Sequence, residues 1–349
     1  MKFGTRLRIR NVVTHLPATL DTVADAVAGG RLEPDNAAKA GVDHVTVSDR
    51  ASGPELAVAA ARTALKEANW DPAGLDLVLH TWFYYPGHEM WGPAHYVADQ
   101  VGAVNALPFS PQQGCNGGVL SLQEAALRLL GGLTGERRAL ITTGDRFCEP
   151  GFDRWRSDYS MAYGDSGTAA LVHAEPDERD EWAVLSAVTT TAAELEGMLR
   201  GDRGFAAAPR EHGPVVDIRS TKKEFMRRRG FEVYGRIAAP KVERALLTAL
   251  DEAGLDAGDP RIRYYALPRL GDGVVEAAYV PVFEAHVKQA EDLRLGRGTG
   301  HLGCGDHFAN LADMTGLGLV DPGDVVVLIG GGVGFTWTCV VVQAWPGQA

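Results

Sequence analysis

The chain has 349 residues, with 34 Lys and Arg against 45 Asp and Glu, a net charge of -11 at pH 7 and only four Cys. The acidic balance excludes a general binder of nucleic acid or anionic membranes, because both need a positive protein surface, and no apolar run reaches the roughly 20 residues of a membrane span. Four cysteines do not build a disulfide framework in so long a chain, and the first ten residues carry no apolar signal core, so we expect a cytoplasmic protein.

The first half of the chain alternates helical patterns with short apolar runs that are typical of buried strands. Amphipathic or Pro-initiated segments predict three helices, at Pro54–Ala68, Pro93–Val101 and Asn116–Leu130. Apolar runs predict three strands, at Leu75–Thr81, Arg138–Thr143 and Gly167–His173.

The second half repeats this order of elements. Three helices are predicted at Lys241–Ala253, Val274–Gln289 and Asp306–Thr315, and three strands at Ile262–Leu267, Val325–Ile329 and Phe335–Gln343. A repeated order indicates a duplication, and helices that alternate with buried strands indicate an α/β fold. We therefore expect one half over residues 1–175, a connector or insertion over 176–239, a second half over 240–349, and a site where the halves meet.

The connector begins acidic and later becomes basic. Its cationic side chains include Lys222, Lys223, Arg227 and Arg228. Such a run is usually a solvated helix face, and the other interpretation is a docking patch for an acidic partner.

Cys115 is the best candidate for a nucleophile. It lies between glycines in the segment Gln113-Gly-Cys-Asn-Gly-Gly118, directly before a predicted helix. The positive end of a helix dipole favours the thiolate, although most free cysteines are buried fillers of space. Cys339 lies in an apolar strand, and Cys148 and Cys304 show no comparable helix start.

His301 and Asp306 are the candidate base and its orienting partner. A thiol nucleophile needs a base, and the base needs a group that fixes its ring. A surface His and a helix N-cap Asp would explain the same residues without catalysis. However, His301 precedes a helix of the second half as Cys115 precedes its equivalent in the first. Pseudo-symmetry would bring the two helix starts together.

A glycine-rich turn, Gly330-Gly-Gly-Val-Gly-Phe-Thr-Trp337, lies between two apolar strands and offers backbone N–H groups for an oxyanion. It is neither a P-loop nor a dinucleotide fingerprint, because no Lys-Ser/Thr follows it and the next element is a strand.

Four segments together resemble the β-ketoacyl-acyl-carrier-protein synthase III family of the thiolase superfamily. They are the Cys115-Asn-Gly-Gly turn, Tyr163-Gly-Asp-Ser-Gly-Thr-Ala-Ala170, Pro322-Gly-Asp324 and the closing glycine turn. The resemblance implies a five-layered αβαβα fold, usually a homodimer, with no bound cofactor. It also implies that the cysteine accepts an acyl group from a phosphopantetheine or coenzyme A thioester. Carried over by that pattern, the oxyanion donors are the N–H groups of Cys115 and Val333.

Two departures from the family pattern bear on the reaction. Condensing members carry His in a Pro-His-Gln-Ala-Asn segment and Asn in a Gly-Asn-Thr-Ser segment, whereas this chain has Arg269 and His301 at those places. An Arg could still stabilise an anion. The chain is similar to a divergent branch with a Cys-His-Asp set, whose members move acyl groups to oxygen or nitrogen nucleophiles or between carrier proteins in natural-product biosynthesis.

The aromatic segment Trp82–Gly92 borders the acyl pocket and the dimer interface in that family. It predicts either a pocket for a flat or bulky acyl group or plain interface packing. The predicted pocket residues are Trp82, Phe83, Tyr84, Trp91, Arg269 and Phe335. The nearby histidines match no zinc spacing, so no metal is expected.

The sequence therefore predicts an acyltransferase that forms a Cys115 acyl-enzyme and serves a small hydroxyl or amine acceptor or another carrier protein. A decarboxylative Claisen-condensing synthase is the first alternative, and a non-catalytic synthase subunit is the second.

Overall fold

The computed structural model describes residues 1–133, 135–159 and 161–345. The strands are β1 (Lys2–His15), β2 (Thr19–Thr22), β3 (His44–Val47), β4 (Leu77–Thr81), β5 (Leu107–Phe109), β6 (Arg138–Asp145), β7 (Ser166–His173), β8 (Trp182–Thr191), β9 (Ile262–Ala266), β10 (Glu291–Leu293), β11 (Val325–Gly332) and β12 (Thr336–Ala344). The α-helices are α1 (Val23–Ala28), α2 (Pro34–Ala37), α3 (Gly53–Ala68), α4 (Pro93–Val101), α5 (Gly117–Gly131), α6 (Gly197–Arg200), α7 (Ile218–Arg229), α8 (Val233–Ala253), α9 (Asp272–Ala278), α10 (Val280–His286) and α11 (Asp306–Gly316).

The strand order demonstrates the duplication that the sequence predicts. Ten strands are paired in the order β10-β9-β11-β12-β8-β1-β7-β6-β4-β5. Counted within its own half, each set of five reads 3-2-4-5-1 from its outer edge inward. The directions also match, because β4–β6 and β9–β11 pair in parallel while β6–β7 and β11–β12 pair antiparallel. The halves join through the antiparallel pairing of their first strands, β1 and β8.

The second half begins earlier than the predicted boundary at residue 240. Strand β8 lies inside the range 176–239, where the sequence suggested a connector, and it pairs with both β1 and β12. Only residues 192–232 leave the sheet between β8 and α8. The acidic residues that open this range hide a strand whose first six residues are all buried.

Alternating side chains on the strands build the layers. On β4, Leu77 and Leu79 face α5 and α11, whereas Val78 faces α3 and α4 on the other side. On β11, Val326 and Leu328 face α5 and α11, and Val327 faces α8, α9 and α10. Successive side chains of a strand point to opposite faces of the sheet. Because both faces carry apolar residues here, each strand lies between two layers of helices. The result is the predicted α-β-α-β-α arrangement, and the predicted fold class is confirmed.

Two helix predictions were wrong because of proline. The helix expected at Val274–Gln289 is two helices, α9 and α10, and Pro281 lies in the first turn of the second one. Proline suits that first turn because it needs no backbone donor there. Conversely, α8 runs through Pro240 and begins at Val233 rather than at Lys241.

The first strand went unrecognised because its apolar positions alternate with arginines. Leu7 and Ile9 are buried in the central core, while Arg8 is also buried and places its guanidinium 3.4 Å from the ring centre of Trp345. An arginine that is desolvated and stacked on an aromatic ring is compatible with a core strand. In the sequence, however, its charge indicates an exposed position, so the strand was not predicted. No helix in the described part of the chain has the length and apolar character to cross a membrane.

Candidate active site

Cys115 lies in a tight turn two residues before α5, in the central helical layer. A side chain on Gly117 would overlap Thr81, and one on Gly118 would approach the carbonyl oxygen of Cys304 to 2.5 Å. Gly117 therefore permits close packing on β4 of the same half, and Gly118 permits the close approach of the second half. The turn leaves Cys115 partly exposed to a cavity at the junction of the halves.

The side chains of Cys115, His301 and Asp306 are aligned in one chain of contacts. His301 Nε2 is 3.1 Å from Cys115 Sγ, and His301 Nδ1 is 2.7 Å from Asp306 Oδ2. His301 and Asp306 are buried. The sequence predicted these three residues as a set, and the structure brings them together at the starts of α5 and α11.

Asp306 is held in a single orientation by backbone donors. Its Oδ1 accepts the N–H of Leu302 at 2.9 Å, and its Oδ2 accepts the N–H of Arg269 at 2.9 Å in addition to the His301 ring. Burial acts to raise the pKa of Asp306, but the charge of His301 and these hydrogen bonds outweigh it, so the pKa is lowered. An ionised carboxylate only accepts hydrogen bonds. His301 Nδ1 therefore donates its proton to Asp306, and Nε2 faces the sulfur.

The surroundings of His301 favour its protonated form. Burial acts to lower the pKa of His301, yet the charges of Asp306 and Cys115 outweigh it and raise the pKa well above its usual value. An imidazole with a raised pKa is a stronger acceptor for the proton of a neighbouring thiol.

The loop that carries His301 is fixed to the segment before β7. The N–H of His301 donates to the oxygen of Ala162 at 2.8 Å, and the N–H of Gly164 donates to the oxygen of His301 at 3.0 Å. A side chain on Gly164 would overlap the oxygen of Thr299, and one on Gly300 would lie 2.6 Å from the oxygen of Ala162. The Tyr163-Gly-Asp motif therefore positions the imidazole of His301 from the backbone side, in addition to the contact with Asp306.

The glycine turn between β11 and β12 lies against the Cys115 turn. A side chain on Gly114 would come within 3.1 Å of the nitrogen of Val333, and one on Gly332 within 2.7 Å of Asn116 Cβ. Cys115 and Val333 both line the same cavity. The assignment of their N–H groups as oxyanion donors stays a prediction.

The cavity beside Cys115 has a volume of about 250 Å³. Its walls come from both halves and from the segment 192–232, and most of them are apolar or aromatic. The lining residues include Phe83, Met161, Tyr163, Met198, Ile218, Lys222, Met226, Tyr234, Tyr279, Phe335 and Trp337.

Of the predicted pocket residues, only Phe83 and Phe335 line this cavity. Trp82 stacks on His80 with ring centres 5.9 Å apart, Tyr84 packs on Phe152, and Trp91 contacts His88 and Tyr96. These three predictions were wrong because each of the rings packs on another ring outside the cavity.

Arg269 was also wrongly predicted to line the pocket. It is buried, and its guanidinium bonds to Thr299 at 2.9 Å, Asn310 at 2.9 Å and Asp313 at 2.5 Å. Only its backbone N–H reaches Asp306. The side chain therefore ties the middle of α11 to Thr299 and is not available to an anion at Cys115.

The basic residues of α7 divide between two faces of that helix. Lys222 lines the cavity and donates to Asp158 at 2.6 Å, so the prediction that it faces a partner was wrong. Lys223, Arg227 and Arg228 are exposed, as the prediction requires, and Arg228 pairs with Asp202.

Sequence reasoning missed Cys304 and Asp145. Cys304 lies two residues before α11, which is the same relation that Cys115 has to α5. It is buried, its Sγ donates to the oxygen of Gly114 at 3.0 Å, and burial raises the pKa of its thiol well above the usual value.

Asp145 accepts the N–H groups of Phe83 and Cys304, and burial raises its pKa to about 6. The end of a buried strand was the available signal for Asp145.

Within the residues that the structure describes, no group of three His, Cys, Asp or Glu side chains is arranged to hold a metal ion. His80, the most buried of the histidines near the aromatic segment, bonds to Thr142 at 3.0 Å. Burial lowers its pKa to about 3.

Comparison with known proteins shows which proteins this chain resembles. The chain matches no protein-family model. It is 26% identical over 290 residues to the β-ketoacyl-acyl-carrier-protein synthase III of Thermosynechococcus vestitus, covering 81% of each chain. It is also 26% identical to the solved structure of ChlB3, titled an acyltransferase, with a TM-score of 0.87 and 98% of each chain covered.

The synthase III of Pseudomonas aeruginosa shares the fold at 19% identity, with a TM-score of 0.77 and 98% of each chain covered. The duplicated five-layered architecture, with a cysteine before the central helix, is the thiolase fold. Within that fold, the chain is similar to the ketosynthase III-like proteins of the thiolase superfamily.

Proposed function

We propose that this protein is a cysteine-dependent acyltransferase that moves an acyl group from a carrier-protein or coenzyme A type thioester to an oxygen, nitrogen or sulfur acceptor. The observation that carries the proposal is the position of His301, whose Nε2 lies 3.1 Å from Cys115 Sγ while Asp306 holds Nδ1. A base in that position can serve both halves of an acyl transfer.

In the first half-reaction, the Cys115 proton moves to His301 Nε2 and the thiolate attacks the carbonyl carbon of the thioester. The carbonyl electron pair moves to oxygen, where the N–H groups of Cys115 and Val333 act as donors. Collapse of this intermediate breaks the bond to the donor sulfur, which leaves with the proton from His301. Cys115 then carries the acyl group.

In the second half-reaction, His301 takes the proton of the acceptor hydroxyl, amine or thiol as that group attacks the acyl carbon. Collapse expels the Cys115 sulfur, which recovers the proton. Asp306 keeps His301 Nδ1 protonated and stabilises the imidazolium throughout. Such positioned proton transfer typically contributes about 10²–10⁴-fold to a rate.

The side chain of Arg269 disfavours the alternative of decarboxylative condensation. Condensation needs free donors at Cys115 for the enolate that forms on loss of carbon dioxide. Arg269 occupies the place of the condensing histidine in the family pattern, but its guanidinium is bonded to Asp313, Asn310 and Thr299. The titled activity of ChlB3, an acyltransferase, agrees with this preference.

Mass spectrometry of the intact protein after mixing with short-chain and aryl thioesters tests the proposal. We expect one acyl adduct, mapped to Cys115, which is lost in Cys115→Ala and retained in the control Cys148→Ala. A protein that gains no adduct from any thioester, or gains it elsewhere, would contradict the proposal and favour a non-catalytic subunit. Release of carbon dioxide from a malonyl thioester would favour the condensing alternative.

Two further features of the proposal concern partners. The exposed cations Lys223, Arg227 and Arg228 lie on the outer face of α7, whose inner face lines the cavity, so an acidic carrier protein bound there would be near the site. A homodimer and a role in natural-product biosynthesis follow from the family resemblance.

A further inference from the structure

A buried ion pair interrupts the apolar wall of the acyl cavity. Within the described residues, Asp158 and Lys222 are the only carboxylate and ammonium among the cavity lining. Their side chains are 3% and 16% exposed and lie 2.6 Å apart. Charged groups are costly to bury even when they are paired.

Lys222 lies on a face of α7 that is otherwise apolar. Ile218, Lys222 and Met226 follow one another at intervals of four residues along α7, and all three line the cavity. Four-residue spacing places side chains on one stripe of a helix. The ammonium is therefore directed at the cavity by the same register that directs its two apolar neighbours there.

The carboxylate of Asp158 has its hydrogen-bonding capacity largely used. Its Oδ1 accepts from Lys222 at 2.6 Å and from the N–H of Tyr159 at 2.7 Å, and its Oδ2 accepts from the Tyr163 hydroxyl at 3.1 Å. The Tyr163 ring lies 5.4 Å from the His301 ring. One tyrosine side chain thus separates the ion pair from the base.

The ammonium of Lys222 retains donors. It carries three N–H groups, and Asp158 takes one of them; no other acceptor for Lys222 occurs in the described residues. Because Asp158 offsets the positive charge, the remaining donors suit a neutral oxygen acceptor better than a second carboxylate, which Asp158 would repel.

We propose that Lys222, held by Asp158, is a specificity determinant that selects acyl groups bearing a neutral oxygen substituent, such as a hydroxyl or carbonyl, at a distance from the thioester. The apolar and aromatic walls contact the carbon skeleton, and Lys222 donates to the substituent. This inference rests on the proposed acyl transfer and names its substrate class.

Matched pairs of N-acetylcysteamine thioesters test the selection by their rates of Cys115 acylation. The pairs are butyryl with 3-hydroxybutyryl, and benzoyl with each hydroxybenzoyl isomer; succinyl serves as the anionic probe. We expect one or more hydroxylated members to react about tenfold faster than the parent, as one hydrogen bond to a charged donor implies, and succinyl to gain no advantage. The two scaffolds reveal whether the skeleton is a chain or a ring.

The double variant Lys222→Met/Asp158→Asn removes the donor without leaving a buried lone charge. We expect its rate ratio within the preferred pair to fall to about one, whereas the control Lys66→Met on the exposed face of α3 keeps the wild-type ratio. A merely structural pair would lower both rates and leave the ratio unchanged, which overturns the inference.

Failure of this inference is distinguishable from failure of the proposed function. Adducts that form without preference for any hydroxylated acyl group, or with preference for succinyl, overturn only the inference. Complete absence of adducts overturns both. Binding of the corresponding unreactive amides, measured by calorimetry, provides a readout that does not depend on chemistry, and the hydroxylated amide is expected to bind about tenfold more tightly.

Discussion

At the scale of single residues, neighbours rather than position distinguish the two cysteines at the centre of the molecule. Both precede a central helix by two residues, and both receive the positive end of a helix dipole. Cys304 contacts the oxygen of Gly114 and the hydroxyl of Thr81, and its thiol stays protonated. Cys115 contacts an imidazole that is itself held by a carboxylate. A helix start alone therefore does not identify a nucleophile.

Asp306→Asn tests whether the orientation of the His301 proton matters. An amide that turns its NH₂ toward His301 Nδ1 favours the tautomer with the proton on Nε2, which cannot accept the sulfur proton. We expect both half-reactions to slow by about a hundredfold or more, measured by rapid-quench mass spectrometry. Asp313→Asn is the control, because Asp313 lies on the same helix and contacts Arg269 rather than His301. Equal losses in both variants would mean that α11 as a whole, and not the Asp306 carboxylate, is responsible.

At the scale of elements, the site depends on loops that approach each other more closely than side chains allow. The Cys115 turn, the His301 loop and the glycine turn are packed closely at Gly117, Gly164 and Gly332. An added Cβ at each of these positions would overlap atoms of an adjacent segment of the same chain. These glycines permit the close contacts between the loops, and none of them takes part in the chemistry.

Gly164→Ala tests this role of the loops. Its methyl group would overlap the oxygen of Thr299, so the His301 loop has to move away from the segment before β7. We expect the acylation rate to fall at least tenfold, since misplacement by about 1 Å can cost 10²-fold, with thermal stability lowered as well. The control Gly316→Ala, at the end of α11 with open space around it, should keep the rate. A wild-type rate in Gly164→Ala would show that the loop contact does not position His301.

The sequence predicted best those elements whose apolar residues recur with a single period and whose ends are marked by a characteristic residue. Helix α4 was predicted at its observed bounds, and α3, β7 and α11 to within one residue, because Pro, Gly or Asn marks their ends. Strand β1 was missed because arginines alternate with its apolar residues, and β8 was missed because a run of acidic residues precedes it. The Cys-His-Asp set was predictable from pseudo-symmetry. The pocket was not, because its walls come from Tyr234, Tyr279 and the segment 192–232, which local patterns do not bring to the site.

At the scale of the whole molecule, the two halves are joined by one antiparallel strand pair and by a shared central helical layer. Glu181 lies at this junction, where its carboxylate accepts from Asn11 at 3.1 Å and from the N–H of Val12 at 3.1 Å. Burial raises the pKa of Glu181 to about 7.

Glu181 makes the stability of the junction dependent on pH. Between its unfolded pKa near 4.5 and its folded pKa near 7, the native state holds a proton that the unfolded state releases. The contribution of this group to stability is therefore full below about pH 4.5 and declines as the pH rises through 7. Glu181→Gln removes the decline.

Urea unfolding at pH 5 and pH 8 measures this difference. We expect the free energy of unfolding of the wild type, relative to Glu181→Gln, to fall by on the order of 1–3 kcal/mol between these values. The glutamine also changes the hydrogen bonds at this position, but that effect does not depend on pH and cancels when the two pH values are compared. Parallel pH profiles for the two proteins would show that the Glu181 carboxyl is not buried in the folded state.

The most direct test of the central claim is the discharge of isolated acyl-enzyme. Protein acylated on Cys115 and freed of excess thioester is mixed separately with hydroxyl, amine and carrier-thiol acceptors and with a malonyl thioester, and the loss of the adduct and the release of carbon dioxide are recorded. We expect transfer to at least one oxygen, nitrogen or sulfur acceptor, slowed in His301→Ala, with no release of carbon dioxide. Discharge by the malonyl thioester alone, with carbon dioxide released, would contradict it.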